Sequence, residues 1–164
     1  MRVNLPVTDI EYELSKEEAL VSRTDLKGRI TYVNPAFVAA SGFTAGELLG
    51  KAHNIVRHPD MPPEAFADLW RTLHQGLPWA GLIKNRRKNG VFSWVLANDT
   101  PVRHQGGVEG YMSVRSRPAR EDVLAADALY RRMREGEAKG LELLQGEVVR
   151  SGWAHPLARL RRIP

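Results

Sequence analysis

The sequence predicts an α+β fold in which a five-stranded antiparallel sheet carries its helices on one face. Three observations support this. Two short extended runs open the domain. A block of helical signals follows, ending in an apolar stripe of Phe66, Leu69, Trp70 and Leu73 at i, i+3, i+4 and i+7. Three further extended runs, divided by turn signals, close it. The domain spans residues 19–117, with an N-terminal arm over 1–18 and a C-terminal helix and linker over 118–164.

The elements follow in order. In the arm, Ser15-x-x-Glu18 has capping-box spacing and predicts a short helix, so the arm is either mobile or a lid on the domain. Leu20 to Thr24 is the first strand and Arg29 to Val33 the second, with the turn Asp25-Leu26-Lys27-Gly28 between them. Asn34-Pro35 provides an N-cap with proline at the first helical position, and Gly42 a helix stop. Thr44-x-x-Glu47 is a second capping box, closed by Gly50. Residues 51–61, dense in His, Asn, Pro and Asp, read as loop or single broken turns. Pro62-Pro63 opens the helix that carries the Phe66 stripe, and Gly76 ends it.

The third strand runs from Trp79 to Asn85. Asn89-Gly90 is a hairpin signal, because both residues tolerate positive φ. Phe92, Trp94 and Leu96 alternate on the fourth strand, Gln105-Gly106-Gly107 turns the chain, and Tyr111 to Arg115 is the fifth. Beyond it, Ala126, Leu129, Tyr130 and Met133 mark a helical stripe, which fits either a homodimer contact or packing against its own sheet. Residues 145–153 show no regular period.

Composition excludes several classes. The chain has 164 residues and no cysteine, which removes disulfides, thiolate metal sites, cysteine nucleophiles and cysteinyl-flavin adducts. No apolar run approaches the roughly 18 residues that span a bilayer, so a cytoplasmic domain is expected. The net charge is +5, and its basic residues are scattered until Arg159, Arg161 and Arg162. No G-x-G-x-x-G fingerprint and no paired acid and base appear, so no enzyme is expected.

Several segments carry a resemblance. Asp25-x-x-Gly28-x-Ile30-x-Tyr32-x-Asn34-x-x-Phe37 and Ser41-Gly42-Phe43-Thr44-x-x-Glu47-Leu48-x-Gly50 resemble the opening half of a PAS domain. The run from His53 to Pro62, then Phe66-Ala67-Asp68-x-Trp70, Pro78-Trp79-x-Gly81 and Lys84 to Gly90, is similar to the PAS domain of Aer-type bacterial aerotaxis receptors. The resemblance implies a PAS fold that holds FAD non-covalently and senses the redox state of the electron-transport chain. It also implies a downstream HAMP and signalling region in a full-length, inner-membrane-anchored receptor.

FAD asks for apolar walls, amide-type partners for the polar edge of its ring, and cations or N–H groups for its pyrophosphate. Trp79, Phe66, Trp70 and Ile83 are wall candidates. Asn34 and Asn85 can read the ring edge, since a carboxamide both donates and accepts. Arg57 and His58 suit phosphate or ribose. The resemblance places Arg57, His58, Asp60, Trp79, Asn34, Phe66 and Asn85 at flavin-binding positions. Each has a structural alternative: Asn34 as the helix cap, Asp60 as a cap for the Pro62 helix, Phe66 and Trp70 as core, Arg57 as a solvated loop residue and Asn85 as an edge residue.

The rival readings are weaker. His74 late in its helix could serve as the axial ligand of a haem PAS gas sensor. His53, His58 and Asp60 have ligand chemistry but no third His or Cys beside them. Arg86-Arg87-Lys88 sits at a hairpin tip without a basic recognition helix, so no nucleic acid is expected. The Val148 to Trp153 segment resembles the stretch before the family's membrane anchor. With Arg150 and the terminal arginines, it predicts a membrane-proximal C-terminus.

Overall fold

A computed structural model describes residues 3–150. The sheet contains β1 (Leu20–Thr24), β2 (Ile30–Val33), β3 (Trp79–Arg86), β4 (Phe92–His104) and β5 (Gly107–Ser116). All neighbours are antiparallel, in the order β2-β1-β5-β4-β3. β4 and β5 extend well beyond the predicted runs. Their turn-proximal ends carry polar residues whose pairing comes from the hairpin rather than from an apolar period.

The crossover between β2 and β3 holds the helices. α1 (Pro35–Ser41) is capped by Asn34, whose Oδ1 accepts the Phe37 N–H at 2.9 Å, and it ends at Gly42. α2 (Ala45–Leu48) starts in the Thr44/Glu47 capping box. A single 3-10 turn (His53–Val56) lies within the expected loop of broken turns, and α3 (Pro63–His74) follows. Val56, Leu69 and Leu73 from this block pack over the strand positions that alternate toward it, Leu20, Ile83, Val95 and Ala97.

The C-terminal helix stands apart from the helices of the crossover. α4 (Arg120–Arg134) crosses the opposite face of the sheet. Tyr130 stacks on Trp94 with ring centroids 6.2 Å apart, and its hydroxyl donates to the Leu82 carbonyl at 2.7 Å. Ala126, Leu129 and Met133 pack against the same core, so the stripe is covered within the chain. The reason is β4 itself. Trp94 and Leu96 form a second apolar face that an uncovered sheet would leave in water.

The arm is docked on the domain. Asn4 Nδ2 donates to the Asn54 and Arg57 carbonyls, both at 2.9 Å. Ile10 and Tyr12 exchange backbone hydrogen bonds with Phe92, and Leu14 is buried. The helix expected after Ser15 is instead a turn, closed by the Ser15 N–H on the Glu18 carboxylate at 3.0 Å.

A hairpin that the sequence did not announce follows α4: β6 (Leu141–Leu144) and β7 (Glu147–Arg150). Gln145 and Gly146 both have positive φ, the signature of a tight hairpin turn. Gly146 presses against the sheet, and a Cβ there would fall on the Ala80 carbonyl oxygen. Trp153, Arg159, Arg161 and Arg162 lie outside the described residues, and with them most of the predicted membrane-proximal stretch.

Candidate functional site

Between the sheet and the 3-10 turn and α3 lies a cavity of about 350 Å³. Strand alternation supplies its floor. Ser22 and Thr24 of β1, Ile83 and Asn85 of β3, Asp99 of β4, and Tyr111, Ser113 and Arg115 of β5 all point toward the helices. The roof comes from His53, Asn54, Arg57, Phe66, Leu69 and Trp70.

Buried polar side chains normally find hydrogen-bond partners. Among the described residues, four buried side-chain atoms without one are Thr24 Oγ1, Asn54 Oδ1, an Arg57 guanidinium nitrogen and Asp99 Oδ1. All four residues line this one cavity. Their unmet donors and acceptors fit a polar ligand with apolar faces.

The family model for the PAS fold matches residues 30–115, more than half of the chain. This chain belongs to the PAS family.

Other similarities agree with this PAS domain's architecture. The chain is 46% identical over 154 residues to the aerotaxis receptor of Escherichia coli K12, covering 94% of this chain and 30% of that one. It is 31% identical over 115 residues to the nitrogen fixation regulatory protein of Klebsiella pneumoniae, covering 70% of this chain and 22% of that protein. It therefore spans less than a third of either relative. A light-oxygen-voltage domain whose mechanism was studied with a flavin analogue superposes with a TM-score of 0.58 at 22% identity, covering 71% of this chain and 87% of that one. The PAS domain of a Colwellia psychrerythraea protein gives 0.56 at 20% identity, covering 61% and 86%.

The PAS cavity gathers five of the sequence-predicted site residues: Arg57, Phe66, Trp70, Ile83 and Asn85. The Arg57 guanidinium lies 3.9 Å from the Phe66 ring centroid, and burial holds its pKa below the usual arginine range. Trp70 meets Tyr111 edge-on at 5.5 Å. Asn85 Oδ1 accepts from Arg115 at 3.2 Å.

The other four predicted residues lie elsewhere. Asn34 is engaged in the fold: Oδ1 accepts from Phe37 and Val21, and Nδ2 donates to the Ala19 carbonyl. Trp79 is buried and is not among the residues that line the cavity. Its Nε1 donates to Asp68 at 2.8 Å and its ring covers Gly81, where a Cβ would collide with it. His58 faces the outer side, edge-on to Phe92, and accepts the Asp60 N–H through Nδ1 at 3.0 Å. Asp60 pairs with Lys84 at 2.7 Å, and its main-chain carbonyl accepts from Arg134.

His53 and His58 serve different neighbours, since His53 Nε2 sits 2.9 Å from Ser22 Oγ. His53 is enclosed by protein except toward the cavity, and that enclosure, with Arg115 nearby, lowers its pKa to about 3. His74 is exposed beside Trp70 and Tyr111, outside the cavity wall. Arg86 donates to the Leu5, Pro6 and Lys88 carbonyls, Arg87 to those of Ala39 and Ala40, and Lys88 pairs with Glu47.

Sequence reasoning missed Asp99, Ser113 and Arg115. Burial raises the Asp99 pKa, opposed by Arg115 and by a Ser113 hydrogen bond. Burial lowers the pKa of Arg115, opposed by Asp99. A charged residue in mid-strand, in phase with small and β-branched neighbours, was the available signal.

Proposed function

We propose that this PAS domain binds FAD non-covalently and reports redox state within an aerotaxis-type receptor. The observation that carries the reading is the cavity, whose apolar and aromatic walls include the four residues that, among the described residues, hold a buried polar atom without a partner. FAD fits that chemistry. Phe66, Trp70, Leu69 and Ile83 offer faces for a planar ring, and Asn85 with Arg115 offers both hydrogen-bond polarities for its edge. Arg57, with Lys27 on the β1–β2 turn, supplies positive charge for a pyrophosphate. A cavity of about 350 Å³ sits near the lower end of the range for ligand pockets, roughly 300–1,000 Å³. It accommodates the ring system and leaves the adenosine end toward solvent.

The bound group supplies reversible redox chemistry, and the protein reads it rather than turning it over. His58, Asp60, Trp79 and Asn34 support the site from behind by fixing the 3-10 turn, β3 and α1. A change at the ring edge reaches β3 and β5 through the Asn85–Arg115 pair. The receptor role, the cytoplasmic location and a downstream signalling region rest on the similarity to the aerotaxis receptor. Among the described residues, no helix is long and apolar enough to cross a membrane.

The test is the absorption spectrum of the purified protein and the identity of the cofactor it releases. Flavin bands and released FAD are expected. A sharp Soret band would replace this reading with a haem sensor. Colourless protein that takes up no added FAD would refute it.

A further inference from the structure

Among the residues lining the cavity, Asp99 is the one acid. It lies on β4 with Trp79 opposite it on β3 and Ser113 opposite it on β5. Its residue is 5% exposed, and Oδ1 has no partner. Ser113, opposite Asp99, helps to hold the Asp99 pKa down against burial. Its hydroxyl accepts from Arg115 Nε at 3.0 Å, while Arg115 donates to Asn85 at 3.2 Å. Asp99 thus stands beside Ser113, from which hydrogen bonds run through Arg115 to Asn85, across β4, β5 and β3.

We propose that Asp99 takes up a proton when a flavin in this cavity is reduced, and that the Ser113–Arg115–Asn85 chain carries the resulting change into the sheet. The proposal rests on the flavin reading above. Two electrons from an external reductant, dithionite in the test, enter the ring with one proton and add one negative charge to the cavity. A buried carboxylate facing that charge is destabilised as the anion. One further proton, drawn from solvent, converts it to the acid. No protein bond breaks, and the count is two electrons and two protons.

The charged and titratable groups around Asp99 are consistent with this. Burial already disfavours the Asp99 anion in the resting site, and Arg115 of β5 opposes this. His53, from the 3-10 turn, is held neutral. Arg57 and Lys27 lie at the roof and the β1–β2 turn. From α3, His74 stands outside the wall. Protonation turns an acceptor into a donor, so Ser113 must re-pair and Arg115 loses its counter-charge. Both effects reach Asn85.

The experiment uses the FAD-loaded chain and D99N, which keeps the size and one acceptor, with D99S as a second variant should D99N fail to fold. Reduced-minus-oxidised infrared spectra of the wild type should gain a carboxylic acid C=O stretch that both variants lack. Across the titration window of Asp99, the reduction equilibrium of the wild type should change a hundredfold per pH unit, about 59 mV. The variants should show a tenfold change, about 30 mV. FAD-loaded protein with equal slopes and no Asp99-dependent band would overturn the role of Asp99 alone. A wild type that takes up no FAD would overturn both this role and the flavin reading.

Discussion

Trp79 Nε1 donates a hydrogen bond to Asp68 Oδ2 at 2.8 Å. The Asp68 carboxylate also accepts from the Gln145 and Gly146 N–H groups at 3.0 and 2.7 Å, and from Arg71 at 2.7 Å. One buried acid therefore ties α3, β3 and the β6–β7 hairpin together. Trp79 acts on the cavity through α3, which carries Phe66, Leu69 and Trp70 into its wall.

Replacing Trp79 by Phe should leave the carboxylate short of one donor. The cost should be about 1.5–3 kcal/mol, as for a hydrogen bond to a charged group. Thermal unfolding should move down clearly, while FAD affinity of the folded variant falls only modestly. A large loss of affinity at unchanged stability would place Trp79 in the ligand's own wall.

Arg57→Ala should behave in the opposite way. One guanidinium nitrogen has no partner within the protein, so little folding energy is lost beyond the stacking on Phe66. Loss of a charge-assisted bond to the ligand should cost about 1.5–3 kcal/mol. That corresponds to roughly 10- to 150-fold weaker FAD binding. Titration of apoprotein with FAD measures it, and unchanged affinity would remove Arg57 from the site.

His58 should make the domain acid-sensitive. Desolvation, then Lys84, holds its pKa at about 4 against an ordinary 6.5, with Asp60 opposing. The unfolded chain binds the proton more readily. Stability is therefore complete above about pH 6.5 and is lost as pH falls toward 4, by at most about 3 kcal/mol. His53, lowered to about 3, adds a loss of the same sign. His58→Asn keeps an acceptor for the Asp60 N–H and should flatten part of the decline. Denaturant midpoints measured between pH 7 and pH 4 check this.

Ending the chain after Arg117 should uncover Trp94 and Leu82, which α4 covers. An exposed apolar sheet face of that kind drives association. Light scattering should show the shortened chain self-associating more strongly than the chain with α4. Equal behaviour would mean that α4 does not protect this face.

Much of the fold was legible because local chemistry fixed it. Asn34, Thr44 and Glu47 cap helices at the positions their residue types predict, and Asn89-Gly90 turns the β3–β4 hairpin. The β6–β7 hairpin was not legible. Its turn residues are Gln145 and Gly146, and the contact that holds it is Asp68, 77 positions away from Gln145 in the chain. A pairing of that range leaves no local period to read.

The sequence alone determined the family, the succession of strands and helices along the chain, and part of the cavity lining, Arg57, Phe66, Trp70, Ile83 and Asn85. Only the tertiary structure decided which of them face the cavity. β4 offers two faces, Phe92, Trp94 and Leu96 on one side and Val95, Ala97 and Asp99 on the other. Alternation states that these sets point in opposite directions, but not which set meets the helices. That assignment came from α4 and the arm covering the Trp94 side, which left Asp99 to the cavity. His58 and Asp60 were placed on the outer side by Phe92, Lys84 and Arg134 in the same way. A side chain's face depends on what packs over it, and those partners come from distant segments of the chain.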